Sequence, residues 1–213
     1  MAGTIRRQEG PLMNRGERRL QDIFDTRQQA DAFQARQVLH HLNDRMRSFI
    51  GRQRMMFLAT ADLSGSCDNS FRAGPPGFVR VLDEEHLSWP EYRGNGVMAS
   101  LGNITENPHV ALLFVDFDEV IGLHVNGTAE IIQDPGDQAD TPPGQRARVW
   151  IVARVQEAYI HCAKHIPRLV EIPRQGGRRP PAEQPKKSDY FGTAPVSPAG
   201  PMPPAPACRG RSE

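Results

Sequence analysis

Cysteine is scarce: three in 213 residues, odd in number and at unrelated spacings, so no disulfide framework can be assembled. Long apolar runs are missing too. The longest, Val110 to Val115, falls far short of the roughly 18 residues a membrane-spanning helix needs. The Arg-rich stretch from Met1 to Arg19 has no apolar segment of the kind a secretory signal carries. A soluble, cytoplasmic chain with no membrane partner is expected. Also absent are a CxxC pair, a GxSxG elbow, a GxGxxG turn after a strand, and a GxxxxGK phosphate loop. His161 and His165 stand four apart, but no HExxH frame or third ligand accompanies them, so no metal site is expected. No internal repeat is visible.

What remains is enough for a packed core. Hydrophobic residues make up 38% and charged residues 24%, and the formal net charge is +1. One ordinary domain fits the length, at roughly 100–200 residues per domain. The near-zero charge hides three blocks. Residues 1–54 carry eleven arginines against six acids, residues 55–134 three arginines against twelve acids, and residues 135–213 twelve bases against seven acids. A nucleic-acid surface needs clustered bases on the folded core, and the middle block has the opposite sign. Nucleic acid is therefore not an expected partner. Any arginine kept within the acidic block is a candidate for a specific task.

Periodicity divides the chain in the same places. Between Arg18 and Arg54, apolar residues recur three, four and seven apart (Leu20, Ile23, Phe24, then Phe33, Val38, Leu39, Leu42, Met46, Phe49, Ile50), which predicts amphipathic helix. Asp25-Thr26 offers an N-cap that splits it into two helices. From Met55 the pattern changes to short runs of strand formers: Met55–Ala61, Cys67–Arg72, Phe78–Leu82, His86–Trp89, Val110–Phe117, Ile121–Gln133 and Ala147–Ile160. Turn residues separate them, and Gly122 and Gly127 inside one long run hint at a bend or bulge. Such a series predicts an antiparallel sheet curled into a barrel or sandwich. Val97 to Glu106 breaks the rhythm as a short helix ending at Asn107-Pro108, and Asp134 to Gln145 reads as a polar loop. From Pro173 onward ten prolines fall among 41 residues, a composition expected to be disordered. The expected organisation is a helical extension at 1–54, a domain at 55–172 and a Pro-rich tail at 173–213.

Phe78 to Asn107 holds the chemistry-bearing cluster. A strand pair ends at Tyr92-Arg93-Gly94-Asn95, and the helix follows at once. A helix N-terminus with an arginine beside it suits an anion, because free N–H groups and the helix dipole favour negative charge. Arg93 adds bidentate phosphate geometry, with Ser100 and Asn103 one helical face further on. A second reading stays open, in which Arg93 pairs with an acid and Asn95 caps the helix. Phe78, Trp89, Pro90 and Tyr92 offer flat apolar surface nearby, suited to a planar ring or simply to filling the barrel end.

These strings together resemble a known family. Phe71 to Asp83 (FRAGPPGFVRVLD), Pro90 to Asn95, Ser100 to Ile104, Glu106-Asn107-Pro108 and His161 to Lys164 are similar to the pyridoxamine 5'-phosphate oxidase-like, FMN-binding split-barrel superfamily. The likeness spans about Arg47 to Arg168 and is nearest the bacterial flavin-nucleotide-binding branch. It implies a mainly β fold with α additions: a six-stranded antiparallel split β-barrel, homodimeric, with FMN in a cleft between subunits. By position, Val79, Arg80 and Val81 would lie near the isoalloxazine, and Tyr92, Arg93, Gly94 and Asn95 along ribityl and phosphate. Ser100, Leu101 and Asn103 would face the phosphate. Lys164 would be catalytic, stabilising a reduced anionic flavin or holding an acidic substrate, or else would be a structural ion-pair partner. Two departures stand out. Met98-Ala99-Ser100 occupies the place of the family's basic pair, and a Pro-rich tail without an equivalent motif stands where the true oxidases carry their substrate-binding C-terminal segment. The resemblance thus implies an FMN-dependent oxidoreductase of an unidentified small molecule, not vitamin B6 oxidation. The alternative is a non-catalytic flavin, deazaflavin or haem binder.

Overall fold

The computed structural model describes residues 14–92, 96–133, 146–170 and 191. Two compact units are distinguished, Met1–Val170 and Glu171–Glu213, and the described helices and strands all belong to the first. The Asp134–Gln145 loop and the Pro-rich tail, apart from Phe191, lie outside the described residues.

Three helices precede the sheet: α1 (Arg15–Ile23), α2 (Arg27–Gln37) and α3 (Asp44–Arg52). The predicted break at Asp25-Thr26 is present, and a further break falls before Asn43, whose side chain accepts from the Met46 N–H and starts α3. So three helices stand where the periodicity suggested two. Their packing differs sharply. Neither α1 nor α2 buries a residue, whereas α3 contributes Phe49 and Ile50, with Leu42 just before it, to the core.

Seven strands follow: β1 (Met55–Ala61), β2 (Cys67–Ala73), β3 (Arg80–Val81), β4 (His86–Glu91), β5 (His109–Asp116), β6 (Ile121–Ile132) and β7 (Val149–His161). All pairings are antiparallel, in the order β2-β1-β5-β6-β7-β4-β3. Six are the expected strands; the seventh, β3, keeps only two residues of the predicted Phe78–Leu82. The Gly74–Gly77 turn holds Phe78 instead, its N–H donating to the Pro75 carbonyl at 2.9 Å. A short helix, α4 (Ala99–Glu106), lies between β4 and β5 and begins two residues later than the sequence suggested.

Alternation fixes which face is inside. In β1 buried and half-buried positions strictly alternate, turning Met56, Leu58 and Thr60 inward beside Leu112 and Phe114 of β5. A flat sheet would place β2 and β4 about 24 Å apart, at roughly 4.8 Å per strand step. Yet Arg72 Nε of β2 donates to Glu91 Oε1 of β4 at 2.7 Å. The sheet has therefore curled until its two sides meet, and side chains rather than a backbone ladder close the seam. That is a split barrel.

The β6–β7 ladder carries one bulge. Asn126 pairs with Glu157 and Gly127 with Val155, leaving Gln156 as the extra residue on β7. Its carbonyl is not orphaned, since His40 Nδ1 donates to it at 2.8 Å. The inward parity of β7 consequently changes, from Ile151, Ala153 and Val155 to Ala158. The β5–β6 turn ends on Val120 at φ 56, a left-handed conformation that costs a β-branched residue about 1–2 kcal/mol. Val120→Gly is expected to raise stability by up to about 1 kcal/mol, read as a higher thermal midpoint. A lower midpoint would mean that the valine side chain contributes more than the strain costs.

Candidate functional site

The curl leaves a cavity of about 460 Å³ where β2, β4 and the start of α4 converge. That is within the roughly 300–1,000 Å³ usual for small-molecule pockets. Charge enters from four side chains, Asp68 and Arg72 on β2, Glu91 on β4 and Arg148 just before β7. Flat surface comes from Phe71, Phe78, Pro90 and Tyr92.

These charges are not equivalent. Glu91 is buried, and its Oε1 accepts from both Arg72 Nε at 2.7 Å and Trp89 Nε1 at 3.2 Å. Arg72 and Glu91 thus neutralise each other within the wall. Arg148 is exposed at the cavity, and among the described residues no acid pairs with its guanidinium. Its backbone N–H donates to the Glu91 carbonyl at 2.7 Å, which ties it to the end of β4.

The entrance to α4 is unusual. Its N-cap, Met98, sits in the left-handed region at φ 56, no side chain among the described residues caps the helix, and its first turn has no acid of its own. Gly96, Val97, Met98, Ala99 and Ser100 line the cavity, so the positive end of the helix dipole opens into it.

The expected site residues separate into distinct groups. Tyr92, Ser100 and Leu101 line the cavity. Ser100 is buried and already committed: its hydroxyl donates to Asp68 Oδ2 at 2.8 Å, with Ser70 Oγ at 2.7 Å and Arg72 Nη2 at 3.4 Å on its other side. Asn103 faces away and donates to Thr60 Oγ1 at 3.0 Å. Val79 is buried in the core, and Val81 packs against it. Arg80 lays its guanidinium over the Trp150 ring, 4.1 Å from the centroid. Arg93, Gly94 and Asn95 lie outside the described residues. Lys164 is exposed in a single 3₁₀ turn, Ala163–His165, and does not line the cavity.

Arg72 and Arg148 were missed as site residues. Arg72 carried a signal, being one of only three arginines in the acidic block, whereas Arg148 sits in a base-rich stretch with nothing to single it out.

His161 has a different partner from the one its spacing suggested. Its Nδ1 lies 2.8 Å from His124 Nε2, and Tyr159 stacks on the His124 ring at 4.8 Å. Burial, and then the adjacent His161, hold His124 below the usual histidine pKa. The unfolded chain therefore binds a proton there more readily than the folded one, so this group's stability contribution is complete above about pH 6.5 and declines as pH falls below it. His124→Gln should flatten that part of the stability–pH curve; an unchanged slope would assign the acid loss elsewhere. Among the described residues no group of three or more His, Cys, Asp or Glu is placed to hold a metal, and no helix is long and apolar enough to cross a membrane.

The family model described as Pyridoxamine 5'-phosphate oxidase matches residues 42–162, from the residue before α3's N-cap to just past β7. The chain belongs to that family. No curated protein matches it in sequence. Among solved structures, HupZ of Group A Streptococcus is similar at 19% identity and a TM-score of 0.45, covering 56% of this chain and 99% of its own. The haem storage protein HutZ of Vibrio cholerae is 15% identical at 0.39, over 56% and 94%. An FMN-binding protein of Syntrophomonas wolfei is 11% identical at 0.42, over 67% and 96%.

Proposed function

We propose that the seam cavity binds FMN and that the chain is a homodimeric, FMN-dependent oxidoreductase of a small molecule. The observation that carries this reading is the start of α4, which no described side chain caps, opening beside Arg148, which pairs with no described acid, into a cavity with aromatic and proline walls. The residues fit the group: backbone N–H donors and a guanidinium for a phosphate, flat apolar faces for a ring. Arg93, Gly94 and Asn95 enter the proposal from sequence alone, as further phosphate and ribityl contacts. When bound, the flavin supplies two-electron transfer, while the protein supplies binding, orientation and electrostatics.

The test is the visible spectrum of the purified protein, with mass spectrometry of whatever heat releases. FMN in the released fraction is the expected result. A colourless protein that takes up no added FMN overturns the reading, and released haem or deazaflavin replaces it. Arg148→Ala should lower FMN affinity about tenfold, the worth of one charge-assisted hydrogen bond, with the melting curve unchanged. Lys164→Ala separates turnover from binding: occupancy is kept, and turnover falls only if a second subunit brings Lys164 to the flavin.

A further inference from the structure

Among the described residues, one carboxylate at the cavity forms no direct ion pair. Glu91 is neutralised by Arg72, but the only hydrogen bond that Asp68 receives among the described residues is from the neutral hydroxyl of Ser100. Asp68 is half-buried on β2, an edge strand of the sheet, and it reaches across the seam to the first turn of α4. It thereby supplies, from another element, the negative charge that the α4 sequence itself lacks. In this arrangement Asp68 stands where an external anion would be stabilised.

We infer that Asp68 sets the charge specificity of this pocket, lowering its affinity for the phosphorylated form of a flavin relative to the unphosphorylated form. The inference rests on the flavin reading above and concerns the same site. An anion seated on the first-turn N–H groups of α4 comes into the immediate neighbourhood of Ser100, whose Oγ is 2.8 Å from Asp68 Oδ2. A phosphate dianion there meets a carboxylate about two hydrogen-bond lengths away. Either Asp68 releases Ser100 and turns outward, or the phosphate binds against its charge. Both routes weaken FMN binding. Riboflavin has no phosphate and is indifferent to Asp68. Arg72 Nη2 also reaches Ser100 Oγ, at 3.4 Å, but that one positive charge is shared between two carboxylates, Glu91 through Nε and Asp68 across Ser100, so the cluster keeps a net negative charge.

Asp68→Asn isolates the charge, since the amide oxygen still accepts from Ser100. FMN and riboflavin affinities of the full chain are measured by quenching of flavin fluorescence, for the wild type, Asp68→Asn and Asp68→Ala. The alanine variant serves if the asparagine side chain disturbs the seam, and circular dichroism melts confirm that each variant is folded. The expected result is FMN binding at least tenfold tighter in the variants, with riboflavin binding changed less than twofold. Equal shifts for both flavins, or none, overturn the inference while leaving the flavin site intact. Failure of every protein to bind either flavin overturns both.

Discussion

Gly127→Ala is expected to destabilise the barrel by about 3 kcal/mol or more, the upper end of what overpacking does in protein cores. A Cβ at Gly127 would lie 2.0 Å from the Arg154 carbonyl oxygen, 3.0 Å from its carbonyl carbon and 3.3 Å from the Val155 Cα. All three are backbone atoms of the neighbouring strand, so no side-chain rotation relieves the contact. Room comes only from separating β6 and β7 at the bulge, where Gln156 is already unpaired and its carbonyl depends on His40. Urea unfolding should show a large drop in midpoint with little change in slope. Gly102→Ala is the control. It stands on the exposed face of α4 with nothing within 4 Å of the added Cβ, and alanine there should stabilise by about 0.5–1 kcal/mol. A Gly127→Ala midpoint equal to that of the wild type would mean that the two strands are not held at this separation.

This glycine shows which parts of the fold were legible in the sequence. A glycine inside a run of strand formers carries a local signal, and the bulge does sit beside it. Apart from β3, the strand boundaries were legible to within a few residues for the same reason, because period-two patterning is a property of neighbouring residues. Closure was not. β7 pairs with β6 on one side and with β4 on the other, and only that insertion brings β4 round to β2. Arg72 and Glu91 are nineteen residues apart, and their contact follows from the order of the whole sheet. Alternation indicates only that Arg72 is on one face of an edge strand. The cavity was half legible. A helix start with nearby aromatics was readable, and Tyr92, Ser100 and Leu101 do line it. Ser100 was expected to offer its hydroxyl to a phosphate, whereas its proton is donated to Asp68 from a strand thirty-two positions away. Val79 and Arg80 follow a resemblance in position, and in this chain one is core and the other lies on Trp150.

Glu91→Ala is the second large effect, and it tests the closure directly. Glu91 is buried, and one of its oxygens accepts from both Arg72 and Trp89. Removing the carboxylate leaves a largely buried guanidinium without its counter-charge and the N–H of a fully buried tryptophan without an acceptor. Breaking a buried pair from one side costs about 3–5 kcal/mol, because the remaining charge stays desolvated. Glu91→Gln keeps an acceptor for Trp89 and loses only the charge, so a smaller cost of about 1–3 kcal/mol is expected. The decisive comparison is the double variant Arg72→Met with Glu91→Gln. If the pair is what holds the seam, removing both charges recovers much of the loss, and the two substitutions are strongly non-additive in a double-mutant cycle. Additive losses would show instead that each residue is held by its own strand and that the seam closes without their contact. The cavity is built on that seam. A Glu91→Ala protein that stays folded should therefore also lose the site, whereas loss of stability with flavin affinity unchanged would separate the barrel's closure from its pocket.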